Sequence, residues 1–260
     1  MVIVKAHLVY CLLRFRRFGT GAARLGIAVL TALWATQGVA AAPTIEDSMA
    51  QRTLACSACH GKEGRATNDG YYPRIAGKPA GYLYHQLLNF RDGRRHYGLM
   101  TQMVDLLSDD YLREIAGHFA SIDLPYPAPP PTTASPEVLR RGQQLTLQGD
   151  AARQVPACVQ CHGAALTGVA PNVPGLLGLP RDYLNAQLGA WQTGQRRAHA
   201  PDCMAQIANR LRPDDVVAVT SWLAAQALPT PAKAALTAPA PAAGMPAIAC
   251  GSAPEVGGRQ

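Results

Sequence analysis

Two short stretches of this chain combine two thiols and an imidazole at the same spacing. One reads Cys-Ser-Ala-Cys-His over residues 56–60, and the other reads Cys-Val-Gln-Cys-His over residues 158–162. The Cys-x-x-Cys-His pattern is the attachment signature of a c-type haem. Two thiols three residues apart can form thioethers to the vinyl groups of one haem, and the adjacent imidazole can then ligate its iron. The spacing predicts two covalently bound haem c groups, attached through Cys56, Cys59, Cys158 and Cys161 and ligated by His60 and His162.

The second axial ligand of each iron decides whether such a site carries electrons or binds a substrate. Met100 and Met204 match at an offset of 104 residues, whereas Met103 has no methionine counterpart at that offset. A lone methionine is usually core filler, but two at matched positions predict His/Met coordination of both irons. His96 and His199 are the rival ligands, since each lies a few residues before a methionine. Coordination by one histidine and one methionine, or by two histidines, would fill both axial positions of the iron, and this favours an electron carrier.

The segments around the signatures are also repeated. Each signature is followed by a Pro-x-x-x-Gly segment and a Tyr-Leu-x-x-Gln-Leu pattern at an offset of 101 residues, and the last helical pattern of each half matches at 104 residues. Apolar residues in these segments recur at the spacing of amphipathic helices. This internal duplication predicts an all-α protein of two tandem domains, each a small helical fold around one haem.

Composition divides the chain into segments. Six prolines fall between residues 125 and 136, which is typical of an extended linker between domains. From residue 229 the chain is rich in Ala and Pro and nearly uncharged, so that apart from Cys250 nothing there predicts packing. We expect a signal peptide over 1–42, a first haem domain over 43–121, a Pro-rich linker over 122–135, a second haem domain over 136–228 and an Ala/Pro-rich tail over 229–260.

The first 42 residues have the order of a secretory signal peptide. Five basic residues without an acid precede the apolar run Leu25–Trp34, and small residues follow, so we expect cleavage near Ala40 to Ala42 and a periplasmic protein. A retained membrane anchor is the alternative, although the apolar run is shorter than the roughly 20 residues of a spanning helix. Without the leader, 19 of the 24 basic residues remain against 17 acidic ones, and this small excess indicates no nucleic-acid partner.

Two cysteines lie outside both the leader and the signatures. In an oxidising compartment the pair Cys203 and Cys250 favours a disulfide that ties the tail to the second domain. Two free thiols are the alternative.

Each half also carries paired arginines before its candidate methionine. The pairs are Arg94–Arg95 and Arg196–Arg197. They are suited to bind haem propionates or an acidic partner. The alternative is that they lie in solvated loops.

Taken together, the paired signatures, the Pro-x-x-x-Gly segments and the matched methionines resemble those of the di-haem class I cytochromes c of the c-four type. The resemblance covers residues 50–227. It implies that His60 and Met100 ligate one iron, that His162 and Met204 ligate the other, and that the histidines donate hydrogen bonds to the carbonyls of Pro73 and Pro174. In this family two tandem class I domains place their haems close enough for electron transfer between them. The long proline-rich linker and the tail are departures from the family pattern.

The function expected from this resemblance is single-electron transfer in a periplasmic respiratory chain, between redox proteins such as a dehydrogenase, a reductase and an oxidase, with or without association with the membrane surface. A haem enzyme such as a di-haem peroxidase, or the electron-transfer subunit of a dehydrogenase, is the alternative. A third interpretation, zinc binding or thiol redox chemistry at the Cys-x-x-Cys pairs, leaves the matched methionines and prolines unexplained.

Overall fold

A computed structural model describes residues 46–67, 70–240 and 248–256 of the 260-residue chain. The expected signal peptide lies outside the described residues. The chain from Glu46 onward forms one compact unit. None of the helices in the described ranges is long and apolar enough to cross a membrane.

The described residues are mostly helical, and the helices fall into two groups along the chain. The first half contains α1 (Met49–Arg52), α2 (Leu54–His60), α3 (Ala80–Arg91), α4 (Gly98–Val104) and α5 (Asp109–Ser121). The second half contains α6 (Pro136–Leu147), α7 (Val159–His162), α8 (Arg181–Gln192), α9 (Cys203–Arg210) and α10 (Pro213–Ala224). Short 3₁₀ turns follow α2 at Lys62–Gly64 and precede α7 at Ala151–Arg153.

Local signals in the sequence explain where two long helices begin. The Ser108 hydroxyl accepts a hydrogen bond from the Tyr111 N–H at 3.2 Å, and two aspartates follow in the first turn of α5. The Ser135 hydroxyl accepts from the Val138 N–H at 3.3 Å, and Pro136 occupies the first turn of α6. Both helices therefore begin directly after a serine that caps them, as helix-capping preferences predict.

The core of the first half lies between α3 and α5. Leu83 and Phe90 of α3 pack against Leu112, Ile115 and Phe119 of α5, and all five side chains are buried. These residues are the apolar faces of the two helices, and Cys56 of α2 and Met100 of α4 pack against the same core.

The core of the second half depends on a close crossing of α6 and α10. Gly142 of α6 lies so near α10 that an added Cβ would overlap the Ala218 carbonyl and would lie 2.7 Å from the Trp222 Cβ. Leu145 packs beside this crossing against Val219 and other buried apolar residues.

A buried ion-pair network reinforces this crossing. Asp215 of α10 accepts hydrogen bonds from Arg141 at 2.9 Å and from Arg153 at 2.6 Å. Burial alone would raise the pKa of Asp215, but these arginines outweigh burial and lower it to about 2. The carboxylate is therefore fully ionised at neutral pH and joins α6, α10 and the turn before α7.

Two features were not expected from the sequence. Gly168–Val169 and Val173–Pro174 form a two-stranded antiparallel pair, β1 and β2, in an otherwise helical fold. The described tail also packs, since Cys250 and Ala253 are buried against Val169 and Val173. The expectation that nothing in the tail beyond Cys250 would pack was wrong, because a disulfide and backbone hydrogen bonds hold it where its composition offers little apolar area.

The α6–α10 crossing leads to a stability prediction. Gly142→Ala should lower the free energy of unfolding by about 1–3 kcal/mol, because the helix backbones must separate to admit the methyl group. Gly189→Ala in α8 is the control, since an added Cβ there meets nothing within 4 Å and should raise the stability by up to about 1 kcal/mol. Urea unfolding of the holoprotein measures both. If the two substitutions change the free energy of unfolding equally, the α6–α10 crossing is looser than the contacts of Gly142 indicate.

Candidate haem centres

Each signature lies on one helical turn, with its histidine at the end of a helix. The first ends α2 at His60, and the second ends α7 at His162. The four signature cysteines are partly exposed, and within the described residues none of them forms a disulfide. Each site thus offers two thiols and an imidazole from one turn, which is the donor set that covalent attachment of a haem requires.

The two histidines are oriented by the same hydrogen bond. Nδ1 of His60 lies 2.8 Å from the Pro73 carbonyl oxygen, and Nδ1 of His162 lies 2.8 Å from that of Pro174. A carbonyl can only accept, so Nδ1 carries the proton and Nε2 keeps its lone pair. Burial lowers the pKa of both imidazoles. Each histidine is therefore neutral and offers the nitrogen that a metal ion needs.

Burial of three signature thiols works against thiol redox chemistry. Burial raises the pKa of Cys158 to about 11 and also raises the pKa of Cys56 and of Cys161. Reactive cysteines have lowered pKa values, because the thiolate is the nucleophile. This environment argues against the interpretation of the Cys-x-x-Cys pairs as dithiol redox motifs.

The candidate methionines occupy helix starts in both halves. Met100 lies in the first turn of α4 and packs against the first core, and Met204 is the second residue of α9. Both are partly buried, whereas Met103 is 46% exposed. Asp202 caps α9 by accepting from the Ala205 N–H at 2.9 Å.

The rival histidines have different surroundings. His96 is exposed. The ring centroid of His199 lies 5.8 Å from that of His85 in α3, so His199 packs beside a helix of the first half.

A polar cluster lies between the two halves, and we call it the arginine cluster. Its six members come from both copies of the repeat: Tyr82, Gln86, Arg95, Tyr183, Gln187 and Arg196. The Gln86 side-chain oxygen accepts from Arg95 at 3.0 Å and from Arg196 at 2.9 Å. The Gln187 oxygen accepts from the same arginines at 2.6 Å and 2.9 Å. Each glutamine therefore bridges both guanidinium groups, and the contact follows the symmetry of the duplication.

The arginine cluster holds positive charge that no carboxylate neutralises. Arg196 is 5% exposed, and the nearby Lys78 is 7% exposed. Within the described ranges Arg95, Arg196 and Lys78 form no ion pair with a carboxylate. Burial alone would raise the pKa of Tyr82, but the three cations outweigh burial and lower it. The solvated-loop alternative is thus wrong for Arg196, whereas Arg197 is exposed.

This charge fits a haem. Buried cations are stable only when an anion or several acceptors lie nearby, and each haem c carries two propionates. The positive charge of Arg95 lowers the pKa of His60, and that of Lys78 lowers the pKa of His162. The donor sets of the two signatures and the charge of these cations therefore suit two haems, whose propionates the cations would be available to bind.

The sequence alone did not indicate the roles of the two tyrosines, the two glutamines and Lys78. Tyr82, Gln86 and Arg95 share one offset of 101 residues with their counterparts, and this common offset was the signal that could have identified them as one polar set. Lys78 had no such signal, because Leu179 occupies its place in the second half.

Comparison with known proteins identifies relatives along most of the chain, although no family model matches it. The chain is 37% identical over 213 residues to the thiosulfate dehydrogenase electron acceptor of Thiomonas intermedia (strain K12), an alignment that covers 81% of this chain and 94% of that protein. It is 32% identical to cytochrome c4 of Thiocapsa roseopersicina, over 71% of this chain and 95% of that one.

A solved structure agrees with these relatives. Reduced recombinant cytochrome c4 from Pseudomonas stutzeri superposes with a TM-score of 0.58 at 27% identity, over 70% of this chain and 98% of that one. The all-α, tandem class I fold expected from the sequence is confirmed. With its two haem attachment sequences, the chain belongs to the cytochrome c4 family, whose members are electron carriers with two covalently bound c-type haems.

Proposed function

We propose that this chain is a periplasmic electron acceptor for a dehydrogenase that oxidises thiosulfate, and that each of its haems is ligated by one histidine and one methionine. His60 and Met100 would ligate the first iron, and His162 and Met204 the second. When bound, each haem supplies an iron that takes up and releases one electron. The signal peptide expected from the sequence of residues 1–42 supports the periplasmic location.

The observation that carries the ligand assignment is the matched geometry of the two histidines. In both halves a proline carbonyl 2.8 Å from Nδ1 leaves Nε2 as the free donor atom. The repeat offset then selects Met100 and Met204, and both are partly buried. A thioether on the second axial position raises the reduction potential and leaves no vacant position for peroxide or oxygen.

The observation that favours this donor is the relationship to the Thiomonas protein, which is named for accepting electrons from thiosulfate dehydrogenase. The alignment spans 94% of that relative, so the likeness extends over both halves of the chain. When the haems are bound, Arg95 and Arg196 of the arginine cluster, which joins the two halves, would be available to pair with haem propionates.

The ligand assignment predicts a spectroscopic result. Met100→Ala and Met204→Ala should each remove about half of the far-red charge-transfer band of ferric iron bound by methionine sulfur, because each iron contributes one such bond. Met103→Ala is the matched control and should leave the band unchanged, since its side chain is 46% exposed. Optical spectra of the oxidised holoprotein measure all three. A full band in either Ala variant would reject that methionine as a ligand.

The charge of the arginine cluster predicts a change in reduction potential. Arg196→Gln should lower the potential of at least one haem by about 60 mV, equivalent to about 1.4 kcal/mol for one electron, because a buried cation stabilises the reduced iron. Arg197→Gln removes an exposed charge one residue away and should change the potentials far less, since solvent screens that charge. Spectroelectrochemical titration provides both values. Equal shifts in the two variants would contradict a buried cluster beside the haems.

The proposed donor can be tested directly. Purified thiosulfate dehydrogenase supplied with thiosulfate should reduce both haems of the ferric protein, and the absorbance of ferrous haem follows the reaction without oxygen. Omission of thiosulfate is the first control, and reduction of ferricyanide by the same enzyme shows that the donor is active. An active enzyme that leaves this protein oxidised would reject the donor while leaving the ligand assignment intact.

A further inference from the structure

Residues 250–255 of the tail are attached to the second half by more than the disulfide. The Cys203–Cys250 disulfide predicted from the sequence is present, with the Cα atoms 5.0 Å apart. The Gly251 N–H donates to the Pro201 carbonyl at 2.9 Å, and the Ser252 hydroxyl accepts from the His199 N–H at 3.1 Å. These contacts lie on the segment 199–203, which leads directly into Met204.

The same stretch of tail also reaches the segment on the histidine side of the second site. The two carboxylate oxygens of Glu255 accept from the backbone N–H of Asn172 at 3.0 Å and from its side-chain amide at 3.1 Å. Asn172 lies between β1 and β2, two residues before Pro174, whose carbonyl orients His162. Residues 250–255 therefore connect the segment before the candidate sulfur ligand to the segment that orients the candidate nitrogen ligand.

The packing of the tail against the methionine segment is close. An added Cβ on Gly251 would overlap the Ala200 carbonyl oxygen and would lie 2.6 Å from the His199 carbonyl oxygen. Cys250 is 7% exposed and Ala253 is 8% exposed. The tail thus packs directly against the segment 199–203, and that segment cannot move away from the tail without breaking these contacts or straining the disulfide.

The first half carries no such cross-link at the matching position. Leu99 precedes Met100 as Cys203 precedes Met204, and Leu99 is 55% exposed. Because both halves share the signature, the proline carbonyl that orients the histidine and the candidate methionine, the first site is an internal reference for the effect of the tail on the second.

We propose that residues 250–255 are a positioning element of the second haem centre. By fixing the segment 199–203 against the β1–β2 segment, the disulfide, Ser252 and Glu255 prevent Met204 from moving away from its iron. The Met204–iron bond then opens less often than the Met100–iron bond. The inference rests on the proposed ligand assignment of Met204 and adds to it the part of the chain that keeps this ligand in place.

Cyanide binding to the ferric holoprotein measures the opening of each site, because cyanide enters only when the methionine leaves the iron. In the wild type the far-red band should disappear in two phases, one for each haem. The Met100→Ala variant keeps only the contribution of the second haem to this band and therefore identifies the slower phase. In the Cys203→Ser/Cys250→Ser double variant the second-site phase should accelerate about tenfold, because local opening no longer has to displace a tethered tail. The first-site phase should not change.

Two single variants keep the test decisive if the double variant fails to mature. Gly251→Ala retains the disulfide but separates the tail from residues 199–200, and Glu255→Ala removes the contact with Asn172. Each should accelerate the second phase by a few-fold. Leu236→Ala is the matched tail control, since this side chain is 89% exposed, and should change neither phase.

The possible results separate this inference from the assignment on which it rests. Unchanged rates in all tail variants, or equal acceleration of both phases, would overturn the positioning role while both methionine bands remain. A wild-type spectrum without the Met204 band would overturn the ligand assignment itself, and the positioning role with it.

Discussion

Two guanidinium groups packed side by side between the halves are the arrangement on which the rest of the structure depends. Like charges repel, and Arg196 has little solvent around it to reduce that repulsion. The two glutamine oxygens that bridge Arg95 and Arg196 offset part of this cost, and the ring of Trp191 lies 3.9 Å from the Arg196 guanidinium carbon. The remaining positive charge needs anions, so the contact between the halves and the binding of the cofactors depend on each other.

The duplication accounts for the symmetry of this contact. An antiparallel bridge joins Arg95 to Arg196, the His96 N–H donates to the Gln195 carbonyl at 2.8 Å, and the Arg197 N–H donates to the Arg94 carbonyl at 2.7 Å. Equivalent loops therefore meet each other, as in a symmetric dimer, although both belong to one chain. Such a contact needs no new residues once a gene for one domain is doubled, because a surface that complements itself is present in both copies.

The sequence predicts the haem-binding chemistry of the two sites more fully than it predicts the residues that surround them. Signature spacing, helix caps and the matched methionines are local or repeated features, so periodicity and offset are enough to find them. The role of Gln86 depends on how two domains dock, which no local pattern states. The tail was misjudged for a related reason: its composition is poor in large apolar residues, yet Ala235 pairs with β1 through backbone hydrogen bonds of 2.8 and 2.9 Å to Ala170 and Gly168, and such bonds require no particular side chain.

Departures from the repeat explain why two similar sites need not behave alike. Burial is the main cause of the lowered pKa of His162, and Lys78 of the first half adds to it, whereas the corresponding Leu179 carries no charge that could affect the pKa of His60. The tail likewise contacts the second site, through the residue before Met204. A cation near an iron favours its reduced state, and a tethered ligand segment favours the closed site. Lys78 and the tail both come from outside the second repeat, so an isolated second domain would lack both influences on its centre.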